Sequence, residues 1–261
     1  MDLGLAGRRV MVTGASRGIG AATAAALTAE GARCALVARD RAALDEVAAG
    51  LGNDPVVVVA DLATAAGVDA AVAESVAGLG GLDGLVNNAG SSPQGSIEQV
   101  TDAQWQATFD LKVMGYVRAM RAAIPHLRAA GGGHIVNIGG TAGIRAGEGY
   151  VLAAAIPALV HITRSTAELV GRDGITVAMV HPGPTLTDRL AAMLTPGAAK
   201  AGLSVEDFGR DVVGAHLPLG RLGTPEEVAR VVTVLCSDVA AWITGGGILV
   251  DGGAARGVVA F

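Results

Sequence analysis

The sequence predicts an α/β protein, a single domain built on a seven-stranded parallel sheet with helices on both faces. Three observations predict it. Short apolar, β-branched runs alternate with longer helical stretches from end to end. The runs are almost continuously hydrophobic, as parallel strands buried on both faces are. The 261 residues fit one α/β domain with a large core, and no linker, repeat or low-complexity tail divides residues 1–261.

The first strand, Arg9–Val12, stops at Thr13-Gly14, and an Ala-rich helix follows over 18–30. Strand, glycine turn, helix presents a helix N-terminus to a phosphate. Gly14, Gly18 and Gly20 let the turn tighten and let backbone N–H groups approach an anion. Ser16, Arg17 and Ile19 complete the turn. Further strands are read at Arg33–Val37, Val56–Ala60, Gly84–Val86, His134–Ile138, Thr176–Val180 and Gly247–Val250, and helices at 40–51, 65–78, 102–130, 152–172 and 224–237. Thr224-Pro225-Glu226-Glu227 is a helix start: Thr as N-cap, Pro in the first position, acids in the first turn. The segment 184–222 breaks the alternation with Pro184, Pro196, Gly197, Gly202 and Pro218, and short helical pieces are expected between them. It reads as an apolar lid over the ligand crevice or, alternatively, as a surface loop.

The net charge of −5 is scattered, which argues against a nucleic-acid partner. No run is long and uncharged enough to cross a bilayer, and the N-terminus lacks a signal-peptide layout, so no membrane partner and a cytoplasmic location are expected. Cys34 and Cys236 read as reduced core thiols. No Cys, His and carboxylate cluster has metal-ligand spacing, so no metal is expected.

The second strand ends Ala38-Arg39-Asp40. In a dinucleotide site an acid at this corner accepts from a ribose 2′-hydroxyl, whereas arginine suits a 2′-phosphate. Arg39, with Arg17 from the turn, favours NADP(H) over NAD; Asp40 reads as an N-cap. Alternatively both arginines are merely solvated. Asp61-Leu62 ends the third strand, and Asp61 is placed to accept from an adenine amino group. Asn87-Asn88-Ala89-Gly90 ends the fourth, where asparagines lock strand ends and bound ribose.

Together these stretches resemble the short-chain dehydrogenase/reductase family. Thr13-Gly14-x-x-x-Gly18-x-Gly20 is similar to its cofactor loop, Asp61 to its adenine contact and Asn87-Asn88-Ala89-Gly90 to its fourth-strand signature. His181-Pro182-Gly183, with Thr185 and Thr187, is similar to its nicotinamide-side turn, and Ile243-Thr244-Gly245 with Val250-Asp251-Gly252-Gly253 to its C-terminal strand and turn. The resemblance spans essentially the whole chain. It implies a Rossmann-type domain, a nicotinamide cofactor, a small-molecule substrate and a homotetramer or homodimer.

The resemblance also implies a catalytic set that this chain lacks. The family uses a tyrosine and, four residues later, a lysine on one helix, with a serine at the preceding strand end and an asparagine on the long middle helix. Alignment on Thr163-Arg164-Ser165 puts Leu152 and Ile156 at the tyrosine and lysine positions, Gly140 at the serine and Lys112 at the asparagine. A register slipped by two gives Tyr150 and Ala154 instead, still without a lysine, because the only two lysines are Lys112 and Lys200. Three residues are candidate replacements. Lys112 points toward the cavity from the middle helix or, alternatively, reaches solvent or pairs with Asp110. Tyr150 reaches the cavity from a loop or is a packing residue. Thr141 supplies a hydroxyl or shapes a turn. Tyr116 shares a face with Lys112; the pair forms a relocated acid or packs in the core or an interface.

Three functions follow as competing expectations. The leading one is an NADP(H)-dependent oxidoreductase with an altered site, acting on an apolar or activated carbonyl, imine or conjugated substrate. The second is a non-redox cyclase, isomerase or lyase on the same scaffold, and the third a nucleotide-binding protein without catalysis.

Overall fold

The computed structural model describes residues 2–91, 93–144, 147 and 149–255. Among these, seven strands form one parallel sheet: β1 (Arg9–Thr13), β2 (Arg33–Ala38), β3 (Val56–Val59), β4 (Gly84–Asn87), β5 (Gly133–Ile138), β6 (Ile175–Pro182) and β7 (Gly247–Val250). Their spatial order is β3-β2-β1-β4-β5-β6-β7. The order reverses between β1 and β4, so a crevice opens outside their carboxyl ends, where such sheets bind ligands.

The helices are α1 (Gly18–Ala29), α2 (Arg41–Ala49), α3 (Ala65–Leu79), α4 (Asp102–Thr108), α5 (Gly115–Ala129), α6 (Ala155–Val170), α7 (Asp188–Ala201), the single turn α8 (Val205–Asp207) and α9 (Pro225–Leu235). Alternate strand residues divide the core in two. Met11, Val37, Leu85, Ile135 and Val177 pack with α3, α5 and α6. Val10, Val12, Leu36, Val86 and Val136 pack with α1 and α9. Each layer is sealed by small and branched side chains, which is why an Ala-rich sequence suits it.

Most helix starts obey local chemistry. Asp40, Thr64 and Thr187 accept from backbone N–H groups of their first turns. Thr101 and Thr224 form capping boxes with Gln104 and Glu227. Cys34 and Cys236 are free and buried, and burial pushes the Cys34 thiol up to about 11.

Three expectations need correction. The stretch 102–130 is not one helix. A wide π-helical turn, Phe109–Met114, interrupts it between α4 and α5; such turns re-aim side chains and cluster at functional sites. The helix expected from 152 starts later. Val151–Ala154 is a 3₁₀ turn and α6 opens at Ala155, with Pro157 in the first turn, where its missing N–H has no helical acceptor to lose. In the 184–222 segment α7 runs straight through Pro196 and Gly197. Tertiary packing overrides propensity there: a Cβ on Gly197 would stand 2.8 Å from the Phe208 ring. The segment is fastened at its base, where Leu186 N–H donates to Gly223 O at 2.8 Å.

Candidate active site

The carboxyl ends of β1 and β4 are locked to each other. Thr13 Oγ1 accepts from Asn88 N at 2.8 Å and Ala89 N at 3.1 Å, and donates to Val86 O at 3.2 Å. Asn88 Nδ2 donates to Thr13 O at 2.9 Å and Gly14 O at 3.1 Å. Farther along the edge, Asn87 Nδ2 donates to Asn137 Oδ1 at 2.9 Å and Asn137 Nδ2 to Thr163 Oγ1 at 3.0 Å, tying β4 to β5 and α6.

This frame holds the glycine turn. Gly14 and Gly18 have φ of +65° and +56°, conformations that favour glycine. Gly20 is needed for closeness instead: a Cβ there would collide with the Gly14 carbonyl oxygen and stand 2.6 Å from Asn88 Nδ2. The first turn of α1 carries no side-chain cap; its N-cap, Arg17, supplies no acceptor. The orphan N–H groups of Gly18, Ile19 and Gly20 therefore suit an anion. Ser16 lies in the same turn. Arg17 is extended into solvent, 78 % exposed and 4.0 Å from Asp188, and Arg39 is exposed beyond β2. Asp40 spends a carboxylate oxygen on Ala43 N, and Asp61 one on Ala63 N at 3.1 Å. Leu62 is buried. A cradle of open N–H groups beside two exposed guanidiniums fits a phosphate-bearing dinucleotide.

On the far side of the crevice, Pro182, Gly183 and Thr185 follow β6. Thr185 is buried and donates to Gly183 O at 3.0 Å. A Cβ on Gly183 would lie 2.7 Å from Asp251, so this turn and the segment after β7 fit closely.

Between these walls lies an unusual buried cation. The wide turn carries Lys112 beneath Gly90, whose absent Cβ would stand 2.8 Å from Lys112 Cδ. Lys112 is only 7 % exposed. Its Nζ donates to Ile138 O at 2.6 Å and Tyr116 Oη at 2.9 Å, and the Tyr116 hydroxyl donates to Ile138 O at 3.2 Å. Burial, and secondarily the charge of Arg189 on α7, pushes the amine down to about 7. Burial holds the Tyr116 phenol far above its ordinary value, so it stays protonated. Lys112 neither reaches solvent nor bonds Asp110, whose carboxylate accepts from Gln106. Neighbouring His181 is buried with Nδ1 unpartnered, and burial, with the Lys112 charge adding, lowers its pKa.

The other two candidate residues lie apart from this cluster's bonds. Tyr150 is half-exposed, and its hydroxyl accepts from Gln94 Nε2 at 3.1 Å. Thr141 makes a long bond to Pro182 O at 3.4 Å, which ties the ends of β5 and β6 together. Leu152 and Ile156 are buried, and Ile156 Cδ1 would stand 3.4 Å from a Cβ on Gly140. Sequence reasoning missed Arg189. Its one signal was a cation beside Asp188 in the first turn of the helix that follows β6.

Sheet order, glycine turn and locked strand ends define a Rossmann-type dinucleotide-binding domain. The comparisons agree. A family model described as enoyl-(acyl carrier protein) reductase matches residues 14–255. The chain is 34% identical over 249 residues to 2-(S)-hydroxypropyl-CoM dehydrogenase 3 of Xanthobacter autotrophicus, covering 94% of this chain and 95% of that one. It is 36% identical over 261 residues to 3-alpha-(or 20-beta)-hydroxysteroid dehydrogenase of Mycobacterium tuberculosis, covering 97% and 92%. L-sorbose reductase of Gluconobacter frateurii, solved with NADPH and L-sorbose, superposes with a TM-score of 0.94 at 33% identity, over 99% of this chain and 100% of that one. The chain belongs to the short-chain dehydrogenase/reductase family. No helix among the described residues is long and apolar enough to cross a membrane.

Proposed function

We propose that the chain is an NADP(H)-dependent oxidoreductase with a rearranged catalytic set, acting on a small apolar or activated carbonyl, imine or conjugated substrate. The observation that carries the cofactor reading is the uncapped α1 N-terminus flanked by exposed Arg17 and Arg39, with the Asp40 carboxylate turned to its own helix. A related chain solved with NADPH supports it. Gly14, Ser16, Gly18, Ile19 and Gly20 would hold the pyrophosphate, and Arg17 and Arg39 the 2′-phosphate. Asp61 and Leu62 would border the adenine, Asn88, Ala89 and Gly90 the ribose, and Pro182, Gly183 and Thr185 the nicotinamide. When bound, the nicotinamide supplies or accepts a hydride.

The rearrangement is read from position. Aligned on Thr163-Arg164-Ser165, Gly140, Leu152 and Ile156 would take the places of the family's serine, tyrosine and lysine; Leu152 and Ile156 are both buried, and Ile156 Cδ1 lies against Gly140. Lys112, Tyr150 and Thr141 remain as candidate polar groups, and Lys112 is the one buried within the crevice wall. Such a wall suits an apolar substrate whose carbon is already electrophilic. It equally suits a non-redox cyclase, isomerase or lyase, and product formed without net NADPH oxidation would favour that alternative.

The test is a titration with NADPH, NADP and NADH read by nicotinamide fluorescence and thermal shift. NADPH-selective binding followed by NADPH oxidation with a carbonyl, imine or enone panel supports the reading. A folded protein that binds none of the three overturns it.

A further inference from the structure

We propose that Lys112 is the proton donor and acceptor of this site and that Tyr116 is the residue that positions it. The inference rests on the oxidoreductase reading above.

The geometry supports a specific role. Lys112 stands on the wide turn between α4 and α5, against Gly90 at the end of β4 and Ile138 at the end of β5. Those two strand ends flank the crevice. Its Nζ has three possible protons. One goes to Ile138 O and one to Tyr116 Oη, and the third is left for a substrate oxygen. Tyr116 is buried in a cluster with Ala153, Ile156, Leu159 and Met179, so its ring is fixed. Its hydroxyl in turn bonds Ile138 O, and it therefore accepts from the lysine in a set direction. The ammonium also lies 4.8 Å from the centre of the Tyr116 ring. A lysine held this rigidly, out of water, spends little entropy on orientation.

The electrostatics set its proton affinity. The titratable and charged groups facing Lys112 are Tyr116 from α5, Arg189 from α7 and His181 from β6. None is an anion at neutral pH. Burial, with no counter-charge among the described residues, pushes the amine to about 7, where it gives and takes a proton within one pH unit of neutrality.

In the reductive direction the carbonyl carbon accepts the hydride that the reduced cofactor supplies, and the C=O π bond opens onto oxygen. That oxygen takes a proton from Lys112 Nζ. One C–H bond on the substrate and one O–H bond would form, while the cofactor's donor C–H bond, the C=O π bond and one Lys112 N–H bond would break; the ketone is reduced and the cofactor oxidised. The neutral amine then regains a proton from water. Oxidation of the alcohol runs the same steps backwards.

The chain contains just two lysines, Lys112 and Lys200, which makes the titration directly readable. The full chain is labelled with ε-¹⁵N lysine and titrated by NMR. Lys112 is expected to titrate near 7, Lys200 serving as the exposed reference, and the Lys112 signal is expected to shift on adding NADPH. Titration of Lys112 above about 9 overturns the assignment. Steady-state kinetics with NADPH use L-sorbose and 9,10-phenanthrenequinone as carbonyl probes. Lys112→Met should lower kcat by about 10²–10⁴ with NADPH affinity kept. Lys112→Arg keeps the charge, but a guanidinium does not release its proton near neutral pH, and it should not rescue. Tyr116→Phe should leave the fold intact, move the pH profile of kcat and lower kcat about tenfold. Lys112→Met with kcat close to wild type overturns the proposal while the oxidoreductase reading stands. Wild-type protein that binds NADPH but turns over neither probe, with Lys112 titrating normally, overturns both. A covalent adduct on Lys112 after borohydride treatment with a probe would reassign it as a nucleophile and overturn the proton-donor role.

Discussion

Asn88 clasps Thr13 from both sides. Its side-chain amide donates to the Thr13 carbonyl at 2.9 Å, and its backbone N–H donates to the Thr13 hydroxyl at 2.8 Å. The strand that delivers the glycine turn is thereby fixed to the strand across the crevice. Asn88→Ala removes two side-chain bonds, to the buried Thr13 O and the part-buried Gly14 O, and leaves both carbonyls short of a donor. A loss of about 1–3 kcal/mol in unfolding free energy is expected. NADPH affinity should fall in parallel, because the turn loses its backing. Urea denaturation and fluorescence titration of one preparation check both.

Arg17 lies in the glycine turn and Arg39 just after β2, and each is exposed enough to meet a phosphate. A charge-assisted hydrogen bond contributes about 1.5–3 kcal/mol, so Arg39→Ala should weaken NADPH by roughly 10- to 100-fold. NADH lacks the 2′-phosphate, and its affinity should change little. Parallel titrations with the two nucleotides separate the outcomes: equal losses for both would mean Arg39 is structural. Arg17→Ala should show the same bias more weakly, since Asp188 lies 4.0 Å from that guanidinium.

Gly20 and Gly131 test the difference between crowding and conformation. Gly20 has an ordinary φ, but a Cβ there would meet the Gly14 carbonyl and Asn88. Gly131 has φ +86° and open space. Gly20→Ala should abolish NADPH binding and destabilise by about 1–3 kcal/mol, as overpacking does. Gly131→Ala should show only left-handed strain, about 1–2 kcal/mol, with binding intact. Thermal shift with and without NADPH distinguishes the two.

The parts of this molecule that are legible in sequence are those set by local rules. Strand, glycine turn and helix at 9–29 follow from apolar periodicity and glycine spacing. Asp40 and the Thr224–Glu227 pair act as caps because capping needs only residues within one turn. The wide turn at Phe109–Met114 is illegible, because a one-residue shift in backbone bonding leaves the apolar periodicity of 102–130 nearly unchanged. The Lys112 pairing is half legible. Tyr116, four residues on, is a natural neighbour, but the third member is the carbonyl of Ile138 on another strand, and carbonyls leave no mark in sequence. Tyr150 shows the converse. It stands at the start of the helical region around 152, yet the chain entering there holds its hydroxyl on Gln94.

Lys112 makes stability depend on pH in a calculable direction. Its ordinary pKa is 10.5, and in the folded chain it falls to about 7. Between those values the unfolded chain keeps the proton that the folded chain has released, so unfolding takes up a proton. Wild-type stability should therefore rise as pH increases from 7 toward 10, by up to about 1.4 kcal/mol per pH unit from this group. At and below 7 the full penalty of the buried cation is present. Lys112→Met carries no such penalty. Its advantage over wild type should be largest at pH 6 to 7 and shrink steadily toward pH 9.5, short of the range where unfolded tyrosines begin to ionise. Groups remote from Lys112 cancel in the difference; His181, which the Lys112 charge helps to hold low, does not, so the trend is read above about pH 7.5, where that imidazole is neutral in both proteins. Urea unfolding of the pair at several pH values measures the gap directly. A gap constant with pH would mean that Lys112 keeps its proton in the folded state.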